Sequence, residues 1–130
     1  MYRPLPTPKE MANWDHLSIN DFGLPGHMLM ENASRELLHT LRQEAGPLSG
    51  KRIALFAGSG NNGGDAFALS RHLVDEGAVC LVLHTRDLES YTGETAFHLA
   101  LADKAEVVMT PLKGYNLEGL CIPDIIVDGL

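Results

Sequence analysis

Residues 52–65 read RIALFAGSGNNGGD, and the fold turns on how this stretch divides. Ile53 to Ala57 is a short, nearly continuous apolar run, the pattern of a central parallel strand covered on both faces. Behind it, Gly58-x-Gly60-x-x-Gly63 has the spacing that opens many dinucleotide sites. Glycines let backbone N–H groups approach a phosphate, and the helix that follows adds the positive end of its dipole. Spacing alone is weak evidence, because a tight turn satisfies it equally well. Asn61 and Asn62 are the unusual feature: two adjacent amides suit a phosphate poorly, whereas their carbonyl oxygens suit a hard cation.

Outward from this stretch, Ala66, Leu69 and Leu73 form a helical stripe that Gly77 ends. Residues 78–83 read as a second buried strand, 92–102 as a second crossover helix, 106–109 as a third strand and 125–127 as a fourth. Strands alternating with helices imply right-handed βαβ units and an α/β fold, a Rossmann-like, doubly wound, mainly parallel sheet with flanking helices. Ligands of such sheets bind beyond the carboxyl ends of the strands. That rule selects GSGNNGGD and the closing IIVDGL. Asp65 reads as an N-cap for a helix starting at Ala66. Asp128 follows three β-favouring apolar residues at the end of a buried strand and therefore needs a partner.

The first third of the chain reads as helical. Thr7-Pro8-Lys9-Glu10 combines an N-cap threonine, a proline at the first helical position and a glutamate placed for a capping box. The short helix it starts is expected to carry Met11 and Trp14 inward. Gly23 and Pro25 break the chain. From His27 to Ala45, Met30, Ala33, Leu37 and Leu41 recur at helical spacing, and Gly46-Pro47 stops that helix. Asn32 is read as a structural hydrogen-bonding residue, Met28 and Met30 as core, and the Glu31-Asn32 and Asp75-Glu76 pairs as having no catalytic meaning.

Composition bounds the function. With 130 residues, 45% hydrophobic and 21% charged, the chain suits one domain, with a helical segment at 1–50 and a βαβ core at 51–130. A formal net charge of −7 and no basic cluster argue against nucleic acid or an anionic membrane as partner. No apolar run approaches the roughly 20 residues that span a bilayer. Cys80 and Cys121 lie in apolar surroundings without CxxC spacing, so both read as reduced core residues, with the cytoplasm as the expected location. The six histidines show no HExxH or other ligand spacing and read as solvated or locally hydrogen-bonded.

Five segments together resemble one family: MANWD at Met11 to Asp15, GLPGHMLMENA at Gly23 to Ala33, GSGNNGGDAFALSRHL at Gly58 to Leu73, TGETAF at Thr92 to Phe97, and IIVDGL at the end. The chain resembles the YjeF N-terminal domain, NAD(P)H-hydrate epimerase, which occurs alone or fused to an ADP- or ATP-dependent dehydratase. The resemblance implies an isomerase of nicotinamide nucleotide repair. Its substrate is NADHX or NADPHX, a reduced cofactor hydrated at C6 of the nicotinamide ring. It implies that Asn61, Asn62, Gly63, Gly64 and Asp65 contact the substrate, that Asn62 and Asp128 hold a potassium ion, and that the enzyme is a homodimer. Asp128 is also the candidate acid or base.

The resemblance departs from this chain at the C-terminus. In relatives the segment matching VDGL continues through a glycine-rich GTG-like loop, and a later strand supplies further oxygens for the cation. The chain stops at Leu130, so the resemblance implies an incomplete domain, truncated at its C-terminus and a poor catalyst alone. Two other readings stand beside the epimerase. One is a non-catalytic YjeF-type binding or scaffold module, disfavoured by Asn62 and Asp128. The other is a plain Rossmann dehydrogenase, disfavoured by NNGGD and by a second strand ending His84-Thr85-Arg86-Asp87 without a clean ribose-binding acid.

Overall fold

A computed structural model describes residues 4–119 and 122–130. Its centre is a four-stranded sheet in the order β3-β2-β1-β4, with β1 Arg52–Ala57, β2 Val79–His84, β3 Val108–Pro111 and β4 Ile125–Gly129. Every pairing is parallel. Parallel neighbours need crossovers, and two helices supply them: α3, Asn61–Asp75, between β1 and β2, and α4, Gly93–Lys104, between β2 and β3. The chain steps outward from β1 to β3 and then returns to place β4 on the far side of β1. This reversal is the switch point at which open α/β sheets bind ligands.

The core is one layer between sheet and helices. Ala66, Phe67, Leu69 and Leu73 of α3 and Ala102 of α4 pack with Ile53, Leu55, Val82, Ile125 and Val127. Strand alternation sends the intervening residues to the opposite face. There Val79, Val108 and Ile126 are each more than 60% exposed, while Phe56, at the centre, is half-buried. β4 is an edge strand, not the buried strand expected; no further strand pairs beyond it among the described residues, and its Ile126 and Asp128 lie on the open face of the sheet.

The N-terminal signals hold, but two packing expectations do not. Helix α1, Pro8–His16, begins with the capping box between Thr7 and Glu10. Met11 and Trp14 nevertheless stay about half exposed, at 44% and 53%. A cap fixes where a helix starts and says nothing about what it docks on. Helix α1 runs straight into a wide turn at Leu17–Asp21 and buries no residue. Helix α2, Gly26–Ala45, ends at Gly46 with φ +72°. Its buried row is Met30, Ser34 and Leu38, with Leu41 partly buried. Ala33 and Leu37 are exposed instead, and so is Met28, expected in the core. Ser34 takes a core position because its hydroxyl donates to Glu31 O at 2.8 Å, so its polarity is satisfied within the helix.

Cys80 is buried, and burial pushes its thiol up to about 11. Cys121 lies outside the described residues. No helix among the described residues is long and apolar enough to cross a membrane.

Candidate functional site

The strand-to-helix loop is held by its own backbone. Gly58 N donates to Gly129 O at 2.8 Å, stitching the end of β1 to the end of β4 across the switch point. Ala57 O accepts from Thr85 N at 3.0 Å, Thr85 Oγ1 at 3.2 Å and Tyr91 Oη at 3.3 Å. Three of the glycines here avoid a clash, Gly63 and Gly129 with backbone and Gly64 with side chains that can move. A methyl on Gly129 would lie 2.6 Å from Phe56 O, one on Gly64 2.5 Å from Met30 Sδ, and one on Gly63 inside the carbonyl group of Gly58.

Helix α3 starts at Asn61, with Gly60 as an extended N-cap, upstream of the expected start at Ala66. Asp65 is therefore inside the helix and not its cap. A glycine pair reads as loop, but α3 runs through Gly63 and Gly64 because their missing side chains allow β1, α2 and α4 to close around them. No side chain of the described residues caps this end, which leaves the Asn61 and Asn62 N–H groups to meet an anion.

Two clefts meet at this helix end. One, of about 340 Å³, lies between α1, α2 and the starts of α3 and α4, and takes Asn61, Asp65, Asp15 and Glu94 together with apolar Leu29 and Met30. The second, of about 310 Å³, runs along the β4 edge and takes Asn62, Asp65, Val127, Asp128 and Gly129. Of the residues proposed from the sequence, Asn62, Asp65 and Asp128 thus share one cleft, Asn61 faces the other, and Gly63 and Gly64 are buried beneath both. Leu130 joins the pair of oxygen donors: Asn62 Nδ2 donates to Leu130 O at 3.5 Å, and Leu130 N donates to Asp128 Oδ1 at 3.1 Å. This leaves Asn62 Oδ1 and Asp128 Oδ2 without a donor among the described residues, and oxygens of this kind suit a hard cation. Among the described residues no three His, Cys, Asp or Glu side chains are grouped to hold a metal ion.

Asp65 is half-buried and accepts no hydrogen bond from the described residues. Burial raises its pKa above the ordinary 3.8; His98 opposes the rise and Asp15 adds to it.

A second polar group behind the site is not foreseen by the sequence reading. Glu31 of α2 pairs with Arg71 of α3, and its other oxygen lies 2.8 Å from His72 Nε2 without the alignment of a hydrogen bond. His98 of α4 is fully buried; its Nε2 lies 2.9 Å from His27 O and its Nδ1 3.8 Å from Glu31 Oε2. His72 and His98 are therefore neither solvated nor bonded to sequence neighbours. Burial pulls the His72 pKa below 6.5, with Glu31 opposing. The signal for this cluster is thin: polar residues at core-facing helix positions, with nothing in the sequence to couple Glu31 to distant Arg71, His72 and His98.

A model of the family described as YjeF-related protein N-terminus matches residues 26–130. The chain belongs to the YjeF N-terminal family. It is 33% identical, over 98% of its length, to a NAD(P)H-hydrate epimerase of Rhodopirellula baltica, of which it covers 51%. It is 34% identical, over 97% of its length, to a bifunctional NAD(P)H-hydrate repair enzyme of Moorella thermoacetica, of which it covers 25%. The chain thus spans about half or less of these relatives. Among solved structures, yeast ynu0 superimposes with a TM-score of 0.81 at 25% identity, covering 98% of this chain and 56% of that one. In this YjeF N-terminal chain, the family match takes in α2, both asparagines and Asp128, and leaves out α1.

Proposed function

We propose that the chain carries the loop and cation side of an epimerase that interconverts the R and S forms of hydrated NADH and NADPH. The observation that carries this reading is the meeting of Asn62, Asp65 and Asp128 in one cleft at the switch point, in a chain whose relatives are named for this activity. The first turn of α3 would receive the substrate's phosphates, with Asn61 to Asp65 against the rest of the nucleotide. Asn62 and Asp128 would hold a potassium ion, which when bound supplies a fixed positive charge beside the substrate.

The ring nitrogen's lone pair assists loss of hydroxide from C6, and water adds to the planar iminium from the other face. Asp128 would take the proton of that water, since it ends β4 and is reached by solvent. The name of the Moorella relative supports a companion activity, an ADP- or ATP-dependent dehydratase on the same or a separate chain, that consumes one epimer. A homodimer is part of the same proposal.

The test is chromatographic. Full-length protein mixed with one purified NADHX epimer should bring it to the equilibrium mixture faster than buffer does, and an unchanged rate would refute the function.

A further inference from the structure

We infer that Asp65 is the proton donor to the hydroxide that leaves C6, an assignment that rests on the epimerase reading. Three observations carry it. Asp65 is the one side chain that lines both clefts, so it stands between the Asn61 side and the Asn62 and Asp128 side. It plays no visible part in holding the fold, because the helix start that it would cap lies upstream at Asn61 and no described residue donates a hydrogen bond to it. A carboxylate half-withdrawn from water without partners carries a desolvation cost that folding alone does not explain.

Withdrawal from water favours the protonated acid. Its two clefts are also lined by Asp15 of α1, Glu94 of α4 and Asp128 of β4, all carboxylates, of which Asp15 adds to the rise. Helix α2 presents only apolar side chains to the two clefts, Leu29, Met30, Ala33 and Leu37 among them. His98 opposes the rise by more than Asp15 adds to it, and burial outweighs both. The raised pKa agrees with this geometry.

Atoms and electrons balance in the step. The C6–O bond breaks as the nitrogen lone pair forms the iminium C=N bond, and the departing hydroxide takes the Asp65 proton to become water. A second water forms the new C6–O bond from the opposite face and loses its proton on that side, towards Asp128 and solvent. Solvent then returns a proton to Asp65. By microscopic reversibility the ionised Asp65 is the base when the opposite epimer reacts.

The test compares wild type with Asp65→Asn in the full-length protein, following epimerisation from each pure epimer together with thermal melting. Asp65→Asn should lose about 10²-fold in kcat in both directions, with KM changed less than about threefold. It should melt at or above the wild-type temperature. An active wild type whose variant keeps its kcat overturns the donor role alone, as does a loss confined to KM, which marks binding. A variant that melts lower shows Asp65 to be structural and also overturns the role. A wild type with no epimerase activity overturns the function and this role together.

Discussion

Gly63 stands so close to Gly58 that a methyl on it would lie 2.9 Å from the Gly58 carbonyl carbon. In an open helix, alanine in place of glycine gains about 1 kcal/mol. Here the obstacle is backbone, and overpacking of this kind costs about 1–3 kcal/mol. The clash wins, so Gly63→Ala should lower the urea midpoint. Gly64→Ala meets Met30 Sδ and Thr95 Oγ1 instead, side-chain atoms that can move, and should lose less. Equal midpoints for the two variants would contradict this ordering.

Glu31 serves Arg71 and His72 at once, with its side chain only 27% exposed. Glu31→Gln keeps the shape and removes the charge, leaving the Arg71 guanidinium partly buried and uncompensated. A charged hydrogen bond of this kind contributes about 1.5–3 kcal/mol. The variant should unfold at correspondingly lower denaturant, whereas Glu36→Gln on the exposed face of α2 should not, and paired urea titrations compare them.

Two pKa shifts give opposite slopes of stability with pH. His72 is lowered in the folded state, so its contribution is present above pH 6.5 and is lost as pH falls through the folded value. Replacing it with glutamine should flatten the melting temperature between pH 7 and about pH 5. Asp65 is raised, so the contribution of its neutral form is present below 3.8 and is lost as pH rises through the folded value. Asp65→Asn should therefore match wild type in strong acid and gain on it towards neutrality. A melting series across pH on the three proteins reads both slopes.

Asp128 and Asn62 should separate chemistry from binding in the full-length protein. Asp128→Asn keeps an oxygen ligand but removes the charge and the base, so epimerisation should fall by about 10²-fold. Added potassium should not restore it. Asn62→Ala removes a neutral ligand, acts through weakened cation and substrate binding, and should recover part of its rate as potassium is raised. Initial rates against potassium concentration for both variants decide the matter.

Much of the fold is legible in the residues alone. The strands and crossover helices announce themselves through apolar runs, with Gly77 closing α3 and Thr92 opening α4, because local propensity and burial agree there. The site is half legible. Asn62 and Asp128 stand out by their places at strand ends, and the structure brings both into one cleft. What the sequence hides depends on long-range packing. A glycine pair reads as loop, which moves the expected start of α3 to Ala66, whereas close neighbours make glycine compulsory inside this helix. Periodicity sets the α2 stripe on Leu37, while the packed side of that helix accepts Ser34. Glu31, Arg71, His72 and His98 are spread over three helices, so no local pattern could join them.

The hydrogen bond from Gly58 to Gly129 ties an enclosed part of the molecule to an edge strand. β1 and α3 are enclosed, whereas β4 pairs on one side only, and Asp128 sits on it. Transient opening should therefore reach β4 while the core behind it stays closed. Amide hydrogens of Ile125–Gly129 would then exchange well before those of β1, and each opening would take Asp128 away from Asn62. In this architecture the lifetime of the assembled cation pair is set by how long an edge strand stays zipped, so anything that pairs with or covers that edge also sharpens the site.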